Sequence, residues 1–319
     1  MVGHDQADLV IGVTPFARPD PAVVVGLARA GALGVLDLGA DPAVAHTALD
    51  EVVRWTDASF GVRVGGGLEL DPAALPGRVG TVILDDPASV LRWSAPGRRV
   101  LVEVRDPAVA REAIWAGADG LVAKGSESGG RIGDLTTFVL LQHLVEAHER
   151  PIWALGGIGL HTAAAAVAGG ATGVVLDAQL ALVRESTLGR PAKAAVAAMD
   201  GSETVVVGEH RVFTRPDLPA PADATGRSPA EVADLLGADD LHTRLLPVGQ
   251  DGAFAAPLAK RFGTAGGVAR AVREAILDHI GSASVEPPLA PRNPLCRQLG
   301  TAYPIAQGPM TRVSDRAEF

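Results

Sequence analysis

Eight short, largely apolar runs punctuate the chain between Leu9 and Leu176: Leu9-Val13, Ala32-Leu38, Phe60-Val64, Val79-Leu84, Arg99-Val104, Gly120-Lys124, Ile152-Leu155 and Gly173-Leu176. Continuous runs of this length predict strands covered on both faces, as in a parallel sheet. Helical patterning fills the gaps, around Val23-Ala30, Val44-Trp55, Pro72-Leu75, Ala88-Trp93, Ala108-Ala116, Leu135-His148 and Thr162-Ala168. Four of the helix starts carry Asp-Pro, at Asp20-Pro21, Asp41-Pro42, Asp86-Pro87 and Asp106-Pro107. An N-cap carboxylate followed by proline at the first helical position is the punctuation of repeated βα units. Eight such units predict an α/β fold, a (β/α)8 TIM barrel, compact at ~170 residues against about 250 for a typical one. An open doubly wound sheet is the competing arrangement, but no glycine fingerprint opens a first βα turn.

Beyond Gln179 the pattern changes. A helix is expected near Ala192-Met199, then a hairpin of Glu203-Val207 and His210-Thr214 about Gly208-Glu209. A capped helix from Ser228-Pro229 through Leu236 and helices over Ala253-Phe262 and Gly267-Ile280 complete a small lobe or lid at the barrel mouth. The expected organisation is a barrel over 1–190, the lobe over 191–281, a proline-rich linker over 282–302, and the start of a second similar module over 303–319. The last expectation comes from the tail: Tyr303-Pro-Ile-Ala-Gln-Gly-Pro309-Met-Thr-Arg312 restates Leu9-Val-Ile-Gly-Val-Thr-Pro15-Phe-Ala-Arg18 in register. A repeat that starts and stops reads as a piece of a tandem array, the alternative being a tail strand that docks on the first copy.

With 47% hydrophobic and 20% charged residues over 319 positions the chain buries a large core. A net charge of -9 and only 4% aromatic residues exclude a general nucleic-acid binder. A phosphate-bearing small ligand remains allowed, since that needs only local amides. One cysteine, Cys296, leaves no disulfide framework, and neither a signal core nor a long apolar run appears. The expectation is a cytoplasmic protein with no membrane partner.

Candidate chemistry centres on Gly117 to Gly133, where the run Gly120-Ala123 feeds a glycine-rich loop, with Asp134 expected to cap the following helix. Such a loop lies at a strand's carboxyl end, where barrels build their sites. Strand ends also carry Asp37, Arg63, Asp85, Glu103 and Lys124. These charges either tune a site for an anion or thioester, or pair with one another across a closed mouth. The histidines His46, His143 and His148 lie in helical runs, and no metal-ligand spacing occurs.

Several separated segments resemble the nitronate monooxygenase (2-nitropropane dioxygenase-like) family of FMN-dependent TIM barrels, which includes flavin enoyl-acyl carrier protein reductases. They are Val13-Thr14-Pro15-Phe16 with Ala30-Gly31-Ala32-Leu33-Gly34, then Phe60-Gly61-Val62, then Gly125-Ser126-Glu127-Ser128-Gly129-Gly130-Arg131, which is similar to the family's Gly-x-Glu-Ala-Gly-Gly-His. Ala154-Leu155-Gly156-Gly157-Ile158, Gly170-Ala171-Thr172-Gly173-Val174 and Gly249-Gln250 continue the resemblance, which spans about residues 8 to 281.

The resemblance implies FMN, its phosphate on the amides of Gly156, Gly157, Asp177, Ala178 and Gln179 and its ring near Gly129 and Gly130. Thr14, Pro15, Arg63, Lys124, Gly249 and Gln250 would complete the cofactor shell, with Lys124 and Arg131 as the catalytic cations and NADPH as reductant. The tandem tail implies a polyketide or polyunsaturated fatty acid synthase, whose acyl thioesters or acyl carrier protein would be the partners, together with the second module. Four positions depart from the pattern. Arg131 replaces the family's histidine, Arg63 an asparagine, Lys124 a glutamine, and Asp177-Ala178 a Gly-Thr. Arginine stays protonated and cannot act as an ordinary base, which disfavours nitronate oxidation. A carboxylate beside the phosphate opposes FMN, so an enoyl-thioester reductase-like module and a flavin-free structural or docking module both stand.

Overall fold

The computed structural model describes residues 6–285 and 287–306. Eight parallel strands close into a barrel: β1 (Val10–Val13), β2 (Leu33–Asp37), β3 (Phe60–Val64), β4 (Val79–Leu84), β5 (Arg99–Val104), β6 (Gly120–Lys124), β8 (Ile152–Leu155) and β9 (Gly173–Leu176). Pairing of Ile11 with Val175 joins β1 to β9 and completes the ring, so the open-sheet alternative falls away. The two-residue β7 (Gly130–Arg131) stands outside it. The strands lie within one residue of the apolar runs, because a strand buried on both faces has no polar positions to blur its limits.

Asp41, Asp86 and Asp106 cap their helices as expected, each accepting backbone N–H groups of the first turn. Asp20 does not. It is buried, and its carboxylate instead accepts from the Thr187 amide at 2.6 Å and the Thr187 hydroxyl at 3.0 Å, tying the first βα turn to the segment after β9. Asp134 also fails as a cap: the helix Thr137–Ala147 begins after Thr136, and its first N–H is taken by the Glu127 carboxylate at 2.9 Å. A loop acid ten positions upstream therefore caps this helix and holds the loop down.

Ile11, Val35, Ile83, Leu101, Val122, Trp153 and Val175 pack together as one apolar layer inside the barrel. Side chains two positions further along a strand point to the same side. Those positions are Val13, Asp37, Asp85, Glu103, Lys124, Leu155 and Asp177, joined by Arg63 two positions after Gly61 of β3, so the next layer up is mostly charged.

The chain from the end of β9 to Phe262 builds the lobe. It holds the helix Arg190–Ala197, the hairpin β10 (Thr204–Val207) and β11 (His210–Phe213), the helix Pro229–Ala233 with its Ser228–Glu231 capping box, and the helix Ala255–Phe262. Gly208 and Glu209 turn the hairpin with φ of 50° and 64°, the left-handed pair that a two-residue hairpin loop needs. The lobe's core (Leu188, Val196, Met199, Phe213, Leu246, Val248) includes Phe16 and Ala178 from the barrel's strand ends, so lobe and barrel share one apolar cluster.

Residues from Leu277 form a separate compact unit. Within it the stretch expected as a linker holds the end of the helix Ala265–Val285 and a short helix, Pro294–Leu299, capped by Asn293. Of the repeat over 303–319, positions 307–319 lie outside the described residues. Among the described residues no helix is long and apolar enough to cross a membrane.

Candidate functional site

The charged layer is a chain of ion pairs. Arg63 reaches Asp37 at 3.1 Å and Glu103 at 2.9 Å, and Lys124 reaches Glu103 Oε2, an oxygen that Arg63 also contacts, at 3.2 Å. Asp37, Glu103 and Lys124 are buried, with 4 to 6% of their surface exposed. Burial raises Asp37 above the usual carboxylate range despite Arg63. Burial acts the same way on Glu103, but two cations overcome it and its carboxyl is lowered. Thr14, at the end of β1, is fully buried and uses its hydroxyl to accept the Asp37 N–H at 2.8 Å, a structural role. Across the ring the layer holds four acids (Asp37, Asp85, Glu103, Asp177) and two bases (Arg63, Lys124), an excess of two negative charges when all are ionised.

The turn after β9 is where the resemblance puts a phosphate, and two of its donors, the amides of Asp177 and Ala178, are already taken. Asp177 accepts the N–H of Ala178 at 2.5 Å through its own carboxylate, and the N–H of Asp177 goes to the Gln179 side chain at 2.9 Å. Gln179, fully buried, then donates to the Ile158 carbonyl at 3.0 Å and to Asp251 at 3.4 Å. Burial, then the charge of Asp177, pushes Asp251 well above the carboxylate range, and its Oδ1 is buried with no partner. Asp177 is itself raised by burial. The Gly156-Gly157 turn offers no cradle either: a Cβ at Gly156 would meet the Ser128 hydroxyl at 2.6 Å, and the Glu127 side chain lies over Gly157 at 3.7 Å. A phosphate here would face three carboxylates and no free amide of Asp177 or Ala178, so these residues do not fit the flavin phosphate.

The loop after β6 is shaped by the lobe. The hairpin strand β11 pairs antiparallel with β7, His210 opposite Arg131 and Arg211 opposite Gly130. Arg211 also donates to the Ser126 carbonyl at 2.6 Å. Gly129 and Gly249 meet backbone to backbone; a Cβ on Gly249 would sit 2.0 Å from the Glu127 carbonyl oxygen, and one on Gly129 would sit 2.1 Å from that of Pro247. That contact is what the Gly-Gln element does here, while Gln250 is exposed. Arg131 pairs with Glu209 at 3.0 Å, both about half exposed, a pairing worth little in water.

Between the barrel mouth and the lobe lies a cavity of about 780 Å³. Of the site residues expected from the sequence, Arg63, Lys124, Gly129, Gly130, Arg131 and Asp177 line it. Thr14, Pro15, Gly156, Gly157, Ala178, Gln179, Gly249 and Gln250 do not, so the cavity reaches the charged layer and stops short of the glycine turn. Three residues escaped the sequence reading. Glu127 sits inside the glycine-rich loop after β6, but its capping role needs the fold; Asp251 follows Gly249-Gln250 directly; His210 was legible only as a hairpin residue. His210 is 4% exposed and lines the cavity, and burial lowers its basicity. Among the described residues no group of three or more His, Cys, Asp or Glu side chains could hold a metal ion.

Comparison with known proteins agrees with this architecture. The nitronate monooxygenase family model matches residues 85–212. A hydroxy-methyl-oxo-octahydroindene-carboxyl-CoA dehydrogenase from Rhodococcus jostii is 30% identical over 188 residues, 53% of this chain and 50% of that protein, so the chain spans about half the length of the curated relative it matches. FabK from Thermotoga maritima superposes with a TM-score of 0.74 at 23% identity over 88% of this chain and 96% of its own. A nitroalkane oxidase from Streptomyces ansochromogenes gives 0.68 at 22% identity, covering 85% and 97%. The enoyl reductase domain of MlnA from Bacillus amyloliquefaciens gives 0.69 at 11%, covering 86% and 95%. The match to the nitronate monooxygenase family model runs from the end of β4 through β9 into the lobe hairpin, on a (β/α)8 fold similar to that of these solved structures.

Proposed function

We propose that this oxidoreductase-type barrel works without flavin, as a cytoplasmic ligand-binding and docking module of an acyl-thioester multienzyme. One observation carries the reading: the turn after β9 closes on itself, with the side chains of Gln179 and Asp177 occupying the amides of Asp177 and Ala178 and with Asp251 buried beside them. The mouth keeps a cavity of about 780 Å³ with apolar walls from Phe16, Val104, Val109, Ala233 and Leu236 over a charged floor. That combination suits an acyl chain with a polar head. The test is direct. Purified full-length chain should be colourless and should gain no melting temperature from millimolar FMN, whereas a ligand at 100 times its dissociation constant would add about 2.7 kcal/mol. Near-stoichiometric flavin in the purified protein would overturn the reading.

A second reading, an FMN-dependent enoyl-thioester reductase using NADPH, is favoured by the family match over residues 85–212. In it Lys124 and Arg131, cations on the cavity wall, would polarise the thioester carbonyl. NADPH oxidation that depends on an enoyl thioester would establish it. Nitronate oxidation is the weaker case, since Arg131 stands at the position where the family resemblance puts that chemistry's base.

A further inference from the structure

The imidazole of His210 is held in one tautomer. Its Nδ1 lies 2.7 Å from the Gly208 carbonyl oxygen, an atom that only accepts, so Nδ1 carries the hydrogen and Nε2 keeps a free lone pair. Nε2 makes no hydrogen bond among the described residues, although the side chain is buried and lines the mouth cavity. The β7–β11 ladder sets His210 opposite Arg131. Lys124 Nζ lies under the same short strand, 3.8 Å from where a Cβ on Gly130 would stand. The mouth therefore presents an open proton acceptor and a buried ammonium, the latter anchored by Glu103.

We propose that His210 and Lys124 form an acid–base site for an enolisable acyl thioester, with His210 Nε2 taking a proton from the carbon next to the carbonyl. This rests on the acyl-thioester part of the proposed function and needs no flavin. The C–H bond breaks and its proton goes to Nε2; its electron pair forms the carbon–carbon double bond of the enolate. The carbonyl π pair moves to oxygen, where the Lys124 ammonium balances the new charge. Nothing is oxidised or reduced, and return of the proton regenerates the site. The charged groups facing the ring are Lys124 on β6, Arg131 on β7 and Glu209 in the turn, while β10 offers only Val207. Burial and the two cations keep the imidazole neutral, so activity should rise with pH and level off below the ordinary histidine range.

Vinylacetyl-CoA in heavy water, followed by proton NMR, reads the step as deuterium entering the carbon next to the carbonyl. The full-length chain should accelerate that exchange over buffer, and His210→Gln should remove on the order of a hundredfold of the rate. His46→Gln, on an exposed helix, should leave it unchanged. Diethyl pyrocarbonate labelling of the native protein supplies a readout independent of turnover: Nε2 of His210 should react, and the thioester should protect it. An unreactive His210 in the folded protein, exchange no faster than buffer, or exchange that survives in a folded His210→Gln protein would each overturn the proposal. Flavin found in the purified protein would sink the flavin-free reading and leave this exchange to be judged by its own result.

Discussion

Glu103→Gln tests the charged layer most directly, because one carboxylate bridges both buried cations. Its contacts are 2.9 and 3.0 Å to Arg63 and 3.2 Å to Lys124. At about 3 Å and an effective dielectric of about 20, each charge pair is worth roughly 5 kcal/mol before desolvation is counted. Removing the charge takes Lys124's direct ion-pair partner and leaves it the more distant Asp177, while Arg63 keeps Asp37 and some access to water. Loss of one partner from a buried pair costs about 3–5 kcal/mol, and Arg63's partial exposure places this case near the lower figure. At roughly 2–4 °C per kcal/mol the melting temperature should fall by about 10 °C at neutral pH. Glu103 also has a lowered carboxyl, so its contribution is present above the unfolded carboxylate range and is lost as pH falls through the folded one. The gap between wild type and variant should therefore close on acidification. Thermal melts from neutral to acid pH supply both readouts. Glu103→Met combined with Lys124→Met, which removes the charge and one of its cations together, should recover much of the loss. A single variant melting within about 2 °C of wild type would refute this account of the layer.

Asp251→Asn should raise stability at neutral and alkaline pH: a carboxyl whose folded value is raised holds its stability below the unfolded value and loses it as pH rises, and the amide removes that loss. Parallel melting curves across pH would contradict it. Gly249→Ala should cost about 3 kcal/mol in urea denaturation, since the added carbon cannot stand 2.0 Å from the Glu127 carbonyl without moving two loops. Asp177→Gly with Asp251→Ser should open the turn after β9 and give measurable FMN or inorganic phosphate binding by calorimetry where the parent shows none; an unchanged null result would mean the Glu127 packing over Gly157 is enough to exclude the anion.

The barrel was legible because its evidence is local. Apolar runs and Asp-Pro caps depend on neighbours within a turn or a strand, and strand limits followed to within a residue. The charged mouth was also visible, since Asp37, Arg63, Glu103 and Lys124 stand at strand ends. What the sequence could not supply was pairing at a distance. Asp20 looks like the other three caps but bonds Thr187, 167 positions away. Asp134 looks like a cap, yet Glu127 takes the N–H because the loop folds back over the helix start. His210 acquires meaning only from its register with Arg131, which no periodicity encodes.

The ladder between β7 and β11 also has a consequence in time. Ile132 donates to the Glu209 carbonyl at 2.9 Å, and the loop after β6 closes against residues some 80 positions later in the chain. As the polypeptide leaves the ribosome, all eight barrel strands emerge before the hairpin that gives this loop its edge. The apolar interior can then assemble early, while the mouth waits for Arg211 and, later still, for Gly249. Contacts of such separation form late and slowly. A chain interrupted just after β9 would hold the scaffold's strands and lack a finished site.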